Sequence, residues 1–137
     1  MLFFLTAVLG YDIWFYLSHL LLHHPLLYPI HSIHHQKVEP QFLDTYHGHW
    51  FEMFFQSFGF FTPLVVFEMD WISFGLALLC VNVKGMLRHD ARGTWLIGNH
   101  HLLHHKYSQY NFGEVWLDRL GGTLLEENPF TEETIVE

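Results

Sequence analysis

The stretch HLLLHHPLLYPIHSIHHQ, residues 19–36, sets six histidines in eighteen positions among leucine, isoleucine and proline. Downstream, NHHLLHHKY at residues 99–107 repeats the pattern. Burying an imidazole costs about 1–3 kcal/mol unless its nitrogens find partners, so clusters of this kind in apolar surroundings need a common explanation. Their spacing supplies one. His19 and His23 are four apart, and His31, His34 and His35 fall at i, i+3 and i+4. His101, His104 and His105 repeat that second spacing, so each box puts its histidines on one face if it is helical.

Around these boxes the chain reads as membrane protein. Half of its 137 residues are hydrophobic and only 15% are charged, against about a quarter in soluble domains. The length suits one domain, 1–137. MLFFLTAVLGYDIWFYLSHLLL (residues 1–22) matches the ~20 residues needed to cross a bilayer. It has no basic leader or small-residue cleavage site, which favours a membrane span over a signal peptide. Residues 51–67 and 71–87 are apolar arms separated by Glu68–Asp70, and they predict a membrane helical hairpin with a kink at Pro63. All six Lys and Arg residues (37, 84, 88, 92, 106 and 119) then fall on one side with every histidine, and the positive-inside rule makes that side cytosolic. The expected fold is all-α, with a span, a hairpin and a cytosolic histidine-rich helical cap around a dimetal site. Residues 124–137 form an acidic tail expected to be solvated.

Composition also excludes partners and chemistries. A net charge of −8 without a basic patch argues against nucleic acid. The single cysteine, Cys80, lies in an apolar run and provides neither a disulfide framework nor a thiolate site. The histidines could instead be hydrogen-bonded core residues or an unstructured metal-scavenging tract. Neither explains three boxes at helical spacing beside membrane segments, whereas a metal partners many imidazoles at once.

With His49 in YHGHWFE and His89 in RHD, ten histidines are candidate ligands: 19, 23, 31, 34, 35, 49, 89, 101, 104 and 105. Ten exceed one coordination sphere and fill two, while His24, His47 and His100 are left as neighbours. Neutral ligands leave the ions' charge uncompensated, so Asp12, Glu52, Asp90 and Asp118 are expected beside the imidazoles, orienting rings and offsetting charge.

The ordered elements DIWFYLSHLLLHH, HSIHHQ, HGHWFE, RHD and NHHLLHHKYSQYNFGEVWLDRLGGT resemble the fatty acid hydroxylase/sterol desaturase superfamily over residues 12–123. Leu20, Trp50 and Phe112 depart from residues common there, but none of these departures removes a histidine. The resemblance implies that His19, His23, His31, His34, His35, His49, His89, His101, His104 and His105 bind two iron ions. It implies O2 as co-substrate, hydroxylation or desaturation of a lipid C–H bond, and electrons from a separate redox protein. It also implies an endoplasmic reticulum or bacterial inner membrane location. A carotenoid hydroxylase has similar boxes, although NFGEVWLDRLGGT favours a sterol or related lipid. A membrane metal transporter would need polar residues in mid-span, and the hairpin arms offer only Gln56, Ser57, Thr62, Ser73 and Asn82.

Overall fold

Hydrophobic segments arrange themselves around one long helix. The computed structural model describes residues 1–125. All regular elements among them are helical: α1 (Leu2–Leu22), α2 (Tyr28–His31), α3 (Trp50–Ser57), α4 (Trp71–Arg88), α5 (Thr94–Ile97), α6 (His100–Tyr107) and α7 (Val115–Gly121), with short 3-10 turns between them. The acidic tail lies outside the described residues except for its first two positions.

The two arms of the expected hairpin both pack on α1. The outgoing arm is not one kinked helix. α3 stops at Ser57 and the chain tightens into a 3-10 helix over Phe58–Val65, which contains Pro63. Proline has no N–H to give the carbonyl four residues back. That carbonyl, on Gly59, accepts from the Thr62 hydroxyl at 2.9 Å instead. Proline therefore changes the helix type upstream of itself where a kink was expected.

The arm runs antiparallel to α1. The Trp14 indole donates to the Phe55 carbonyl at 2.7 Å, and further along the Tyr11 and Phe60 rings lie 4.4 Å apart. Close approach depends on Gly59, where a Cβ would sit 2.7 Å from Tyr11 Cα. The returning helix, α4, runs parallel to α1. Phe3, Ala7 and Ala77 form a core at the hairpin end, with Phe67, Met69 and Phe74 packed against it.

Midway along, Lys84 Nζ joins Asp12 at 2.6 Å and Glu114 at 2.5 Å, and Arg88 also pairs with Glu114. Both long helices consequently finish at the same end of the molecule, where the histidines begin. An Asp12–Lys84 pair inside apolar helices fits the rule that charges at such depth are paired.

Helices α1 and α4 are long and apolar enough to cross a membrane. Leu2, Leu5, Leu9, Ile13, Leu17 and Leu21 form an exposed apolar stripe on α1 at three- and four-residue spacing. Trp71, Ile72, Leu76, Leu79 and Val83 do the same on α4. Exposed apolar faces of this extent mark a lipid or protein contact surface.

The packing of the arm on α1 can be tested by adding single methyl groups. Gly59→Ala should destabilise the detergent-solubilised protein by roughly 1–3 kcal/mol, because its Cβ meets backbone rather than a movable side chain. Gly75→Ala, at a helical position with nothing within 4 Å, should be neutral or raise the melting temperature. Equal melting temperatures for the two variants would mean that α1 and the arm do not pack this closely.

Candidate metal centre

The histidine boxes fold into short helical pieces at the shared end of α1 and α4. His19 and His23 end α1, while His31 closes α2 and a 3-10 turn at His34–Gln36 follows it. His89 caps α4, and His101, His104 and His105 come from α6. These nine form two sets: His19, His23, His31, His35 and His104 in one, His34, His89, His101 and His105 in the other. Within each set no two ligand atoms are more than 4.8 Å apart.

Each five-residue box divides between the sets in the same way. The i, i+4 pair His31/His35 joins the first set and His34 the second, while His101/His105 join the second and His104 the first. His34 therefore does not share a centre with His31 and His35, as a single helical face would require. Residues i and i+4 differ by about 40° around a helix, whereas the i+3 residue lies on the far side of i, about 100° from i+4.

The geometry fits cations and little else. His19 Nδ1 faces the Phe112 carbonyl at 2.6 Å and His34 Nδ1 the His47 carbonyl at 2.7 Å. His89 Nδ1 faces Gly85 O at 2.8 Å, His104 Nδ1 faces Tyr110 O at 2.6 Å, and His31 Nδ1 faces Glu52 Oε1 at 2.9 Å. A carbonyl only accepts, so these Nδ1 atoms carry the proton and the Nε2 atoms are bare lone pairs. Yet those Nε2 atoms converge. In the first set neighbouring Nε2 atoms are 2.9–3.2 Å apart. In the second, His89 Nε2 is 3.1 Å from both His34 and His101.

Where both rings are fixed by carbonyls, as His34 and His89 are, lone pair faces lone pair, so that contact is repulsive and is not a hydrogen bond. A metal ~2.1 Å from each nitrogen separates adjacent octahedral positions by roughly 3.0 Å and tetrahedral ones by roughly 3.4 Å. The observed spacing matches the former. His105 is buried with neither ring nitrogen hydrogen-bonded, as a ligand without its ion would be. Each set could therefore hold one cation.

Electrostatics agree. Burial, reinforced by neighbouring imidazoles, holds His23 down to about 4 and His35 and His89 down to about 3. His31, His34, His101, His104 and His105 are lowered for the same leading reason. All are thus neutral and able to coordinate at pH 7.

The remaining candidates sit elsewhere. His49 is in neither set; its ring caps α3, accepting from the Phe51 N–H at 3.1 Å. Of the four carboxylates only Glu52 touches a clustered imidazole. Asp12 binds Lys84, and Asp90 binds the Arg92 guanidinium and two backbone N–H groups. Asp118 works at one remove. Wholly buried, it accepts from the backbone N–H groups of Phe112 and Gly113, the Thr123 hydroxyl and His100 Nε2. It thereby fixes the loop whose Phe112 and Tyr110 carbonyls orient His19 and His104.

The residues that composition and spacing missed are those supplying these carbonyl acceptors and Asn111. Asn111 takes a left-handed φ of 62° and bonds the His100 and Leu125 backbones. The N-x-G spelling at 111–113 was the available signal, since Asn tolerates that conformation. His24 is exposed, as its offset from His23 implies.

A family-wide sequence profile described as fatty acid hydroxylase matches residues 4–123. The chain belongs to this family. It is 30% identical over 126 residues to the Delta(7)-sterol 5(6)-desaturase of Leptosphaeria maculans, covering 85% of this chain and 35% of that one. It is 29% identical over 125 residues to methylsterol monooxygenase 1 of Gallus gallus, covering 82% and 42%. The Rattus norvegicus protein of the same name is 27% identical over 135 residues, covering 88% and 46%. The chain thus spans less than half the length of these relatives. No solved structure matches it.

Acid should destabilise the metal-free protein. The depressed values mean that, below pH 6.5, the unfolded chain takes up protons the folded imidazoles refuse, so stability falls with pH. Thermal melts of the metal-free protein should show the midpoint dropping as pH falls from 6.5 towards about 3–4, the range set by His23, His35 and His89. A midpoint that stays flat over that range would show that these rings are solvated.

Proposed function

We propose that the two histidine sets hold two iron ions and that this chain carries the oxidising centre of a membrane oxidoreductase. The reaction is the O2-dependent hydroxylation or desaturation of a C–H bond in a sterol or related lipid, with electrons supplied by a separate redox protein. The observation that carries this reading is a cavity of about 290 Å³ between α1, α3 and α4. It reaches His19 and His31 of one set and His34, His89 and His101 of the other. Tyr11, Phe15, Met53, Phe60, Leu78 and Val81 supply its apolar walls. A largely apolar pocket ending on potential ligands of both centres suits a lipid chain.

Iron bound at the two sets would supply O2 activation and attack on an unactivated C–H bond. The chain's own residues do the rest. Backbone carbonyls and Glu52 hold the Nδ1 protons of His19, His31, His34, His89 and His104, which keeps their Nε2 atoms available. Phe15, its ring 5.1 Å from that of His19, and Phe60 line the cavity with apolar surface. The parallel course of α1 and α4, with apolar faces outward, would bring lipid to the cavity from the bilayer. Lys84 and Arg88 close α4, and Lys37, Arg92, Lys106 and Arg119 lie beyond the helix ends, which supports a cytosolic position for the metal end.

Purified protein reconstituted with excess iron should contain two irons per chain. His34→Ala should retain about one, whereas His49→Ala should keep both, because His49 caps α3. One iron or fewer in the unsubstituted protein would overturn the two-ion reading. In a host expressing the gene under labelled O2, hydroxylated or newly unsaturated sterols should appear, be lost with His34→Ala and largely persist with His24→Ala. A sterol profile unchanged by expression, in protein that holds its iron, would refute the lipid reading.

A further inference from the structure

The cavity carries two polar groups whose bonding the fold leaves unfinished. Arg88, at the end of α4, gives one Nη to Glu114, and its other guanidinium nitrogens make no hydrogen bond among the described residues, although only 16% of the side chain is exposed. Tyr11, on α1, has its ring fixed 4.4 Å from that of Phe60 and 5.8 Å from that of Phe15, while its hydroxyl makes no hydrogen bond either. Both side chains line the cavity. Neither group is sealed in. Among the described residues, the wholly buried side-chain nitrogens and oxygens without a partner belong to His47, Glu52 and His105, so the spare Arg88 nitrogens and the Tyr11 oxygen keep open surface. No other charge acts on the Tyr11 phenol as strongly as that of Arg88, so the two polar ends share one part of the cavity. A few polar groups converging in an apolar pocket fix the orientation of what it binds.

Resting on the reading of this cavity as the lipid pocket, we propose that the free edge of the Arg88 guanidinium and the Tyr11 hydroxyl together hold an uncharged oxygen of the lipid, a hydroxyl or a ketone. A guanidinium can commit one edge to a carboxylate and still donate from another, and its charge-assisted bonds are strong. A phenol both donates and accepts, so Tyr11 can complete the bonding of an alcohol. A second charge is not called for, because Lys84 and Arg88 already face two carboxylates, Asp12 and Glu114. A lipid without the oxygen would strip water from both groups and return no partner. Arg88 directly precedes His89 in the chain, so an oxygen held there also fixes the lipid beside the second histidine set. Arg88 and Tyr11 then select and position the lipid.

The test uses the full iron-loaded chain in nanodiscs, with a tritiated Δ7-sterol as probe. The unlabelled sterol with its C3 hydroxyl should displace the probe at least about tenfold more effectively than the same sterol lacking that oxygen, the ratio expected of one hydrogen bond to a charged group. The 3-sulfate should compete less well than the alcohol. Arg88→Lys keeps a positive charge for Glu114 but loses the fork, and Tyr11→Phe removes one oxygen while leaving the ring contacts. Both variants should keep their iron and narrow the alcohol-to-hydrocarbon ratio at least about threefold. A merely structural role would weaken both ligands alike and leave that ratio as it was. Equal displacement by alcohol and hydrocarbon in the unsubstituted protein overturns the proposal, as does a ratio that either iron-replete variant leaves unchanged. Tighter binding of the sulfate overturns the choice of an uncharged oxygen. Failure of every sterol to bind overturns the lipid reading of the cavity, and this contact with it.

Discussion

Nine uncharged imidazoles turned inward on two centres form the constraint on which the rest of the structure depends. Where both Nε2 atoms are bare, as between His34 and His89, a contact near 3 Å is unfavourable alone, and the fold tolerates it. The tolerance comes from the other side of the rings. Carbonyls of Gly85, His47, Tyr110 and Phe112 and the Glu52 carboxylate grip Nδ1 of five of the nine rings. The His47, Tyr110 and Phe112 carbonyls belong to irregular loops, where a C=O is not consumed by a helix, while Gly85 O accepts the His89 N–H as well as the ring. The short, broken elements around the site thus have a physical reason: continuous helices would leave no carbonyls to spare.

The outer framework serves that convergence. Ligands come from the ends of α1 and α4, so any slip between those helices moves His19 and His23 relative to His89. Three contacts oppose such a slip: the glycine-mediated approach of the 3-10 arm to α1, the Trp14–Phe55 bond, and the Asp12–Lys84–Glu114 chain. Tyr16 adds a fourth, since its ring stands where a Cβ on Gly113 or Gly121 would be and its hydroxyl meets Thr123 at 3.1 Å. The loop that orients His19 and His104 is in this way seated directly on α1.

What the sequence made legible followed from spacing. The all-helical class, the two long apolar helices and eight of the nine gathered histidines could be read from periodicity, because i, i+4 relations are local, while His89 stands alone in RHD. Partner choice is not local. Asp12 precedes His19 by seven residues on one face, yet it turns to Lys84, 72 positions away. Asp90 neighbours His89 in sequence but binds Arg92, and His49 spends its ring on capping α3. The division of each box between two sets was also hidden, since spacing identifies a face without saying how many centres that face looks upon. Pro63 was visible as a break. Its form, a 3-10 segment beginning at Phe58, was not, nor was the packing of that segment against Tyr11 and Trp14.

An all-imidazole site also suits a protein that must bury its ligands at a membrane's edge. Carboxylate ligands would be charged before any ion arrived, at an effective cost of several kcal/mol each in a low-dielectric setting. Neutral imidazoles cost about 1–3 kcal/mol apiece, and here much of that is offset by the Nδ1 bonds already in place. The chain can then fold with its histidines buried and uncharged, and positive charge enters only with the ions. Among the described residues Glu52 is the single carboxylate drawn against the clustered rings. On the proposed two-ion reading, one set of residues would serve both as an uncharged core and as a site for two cations.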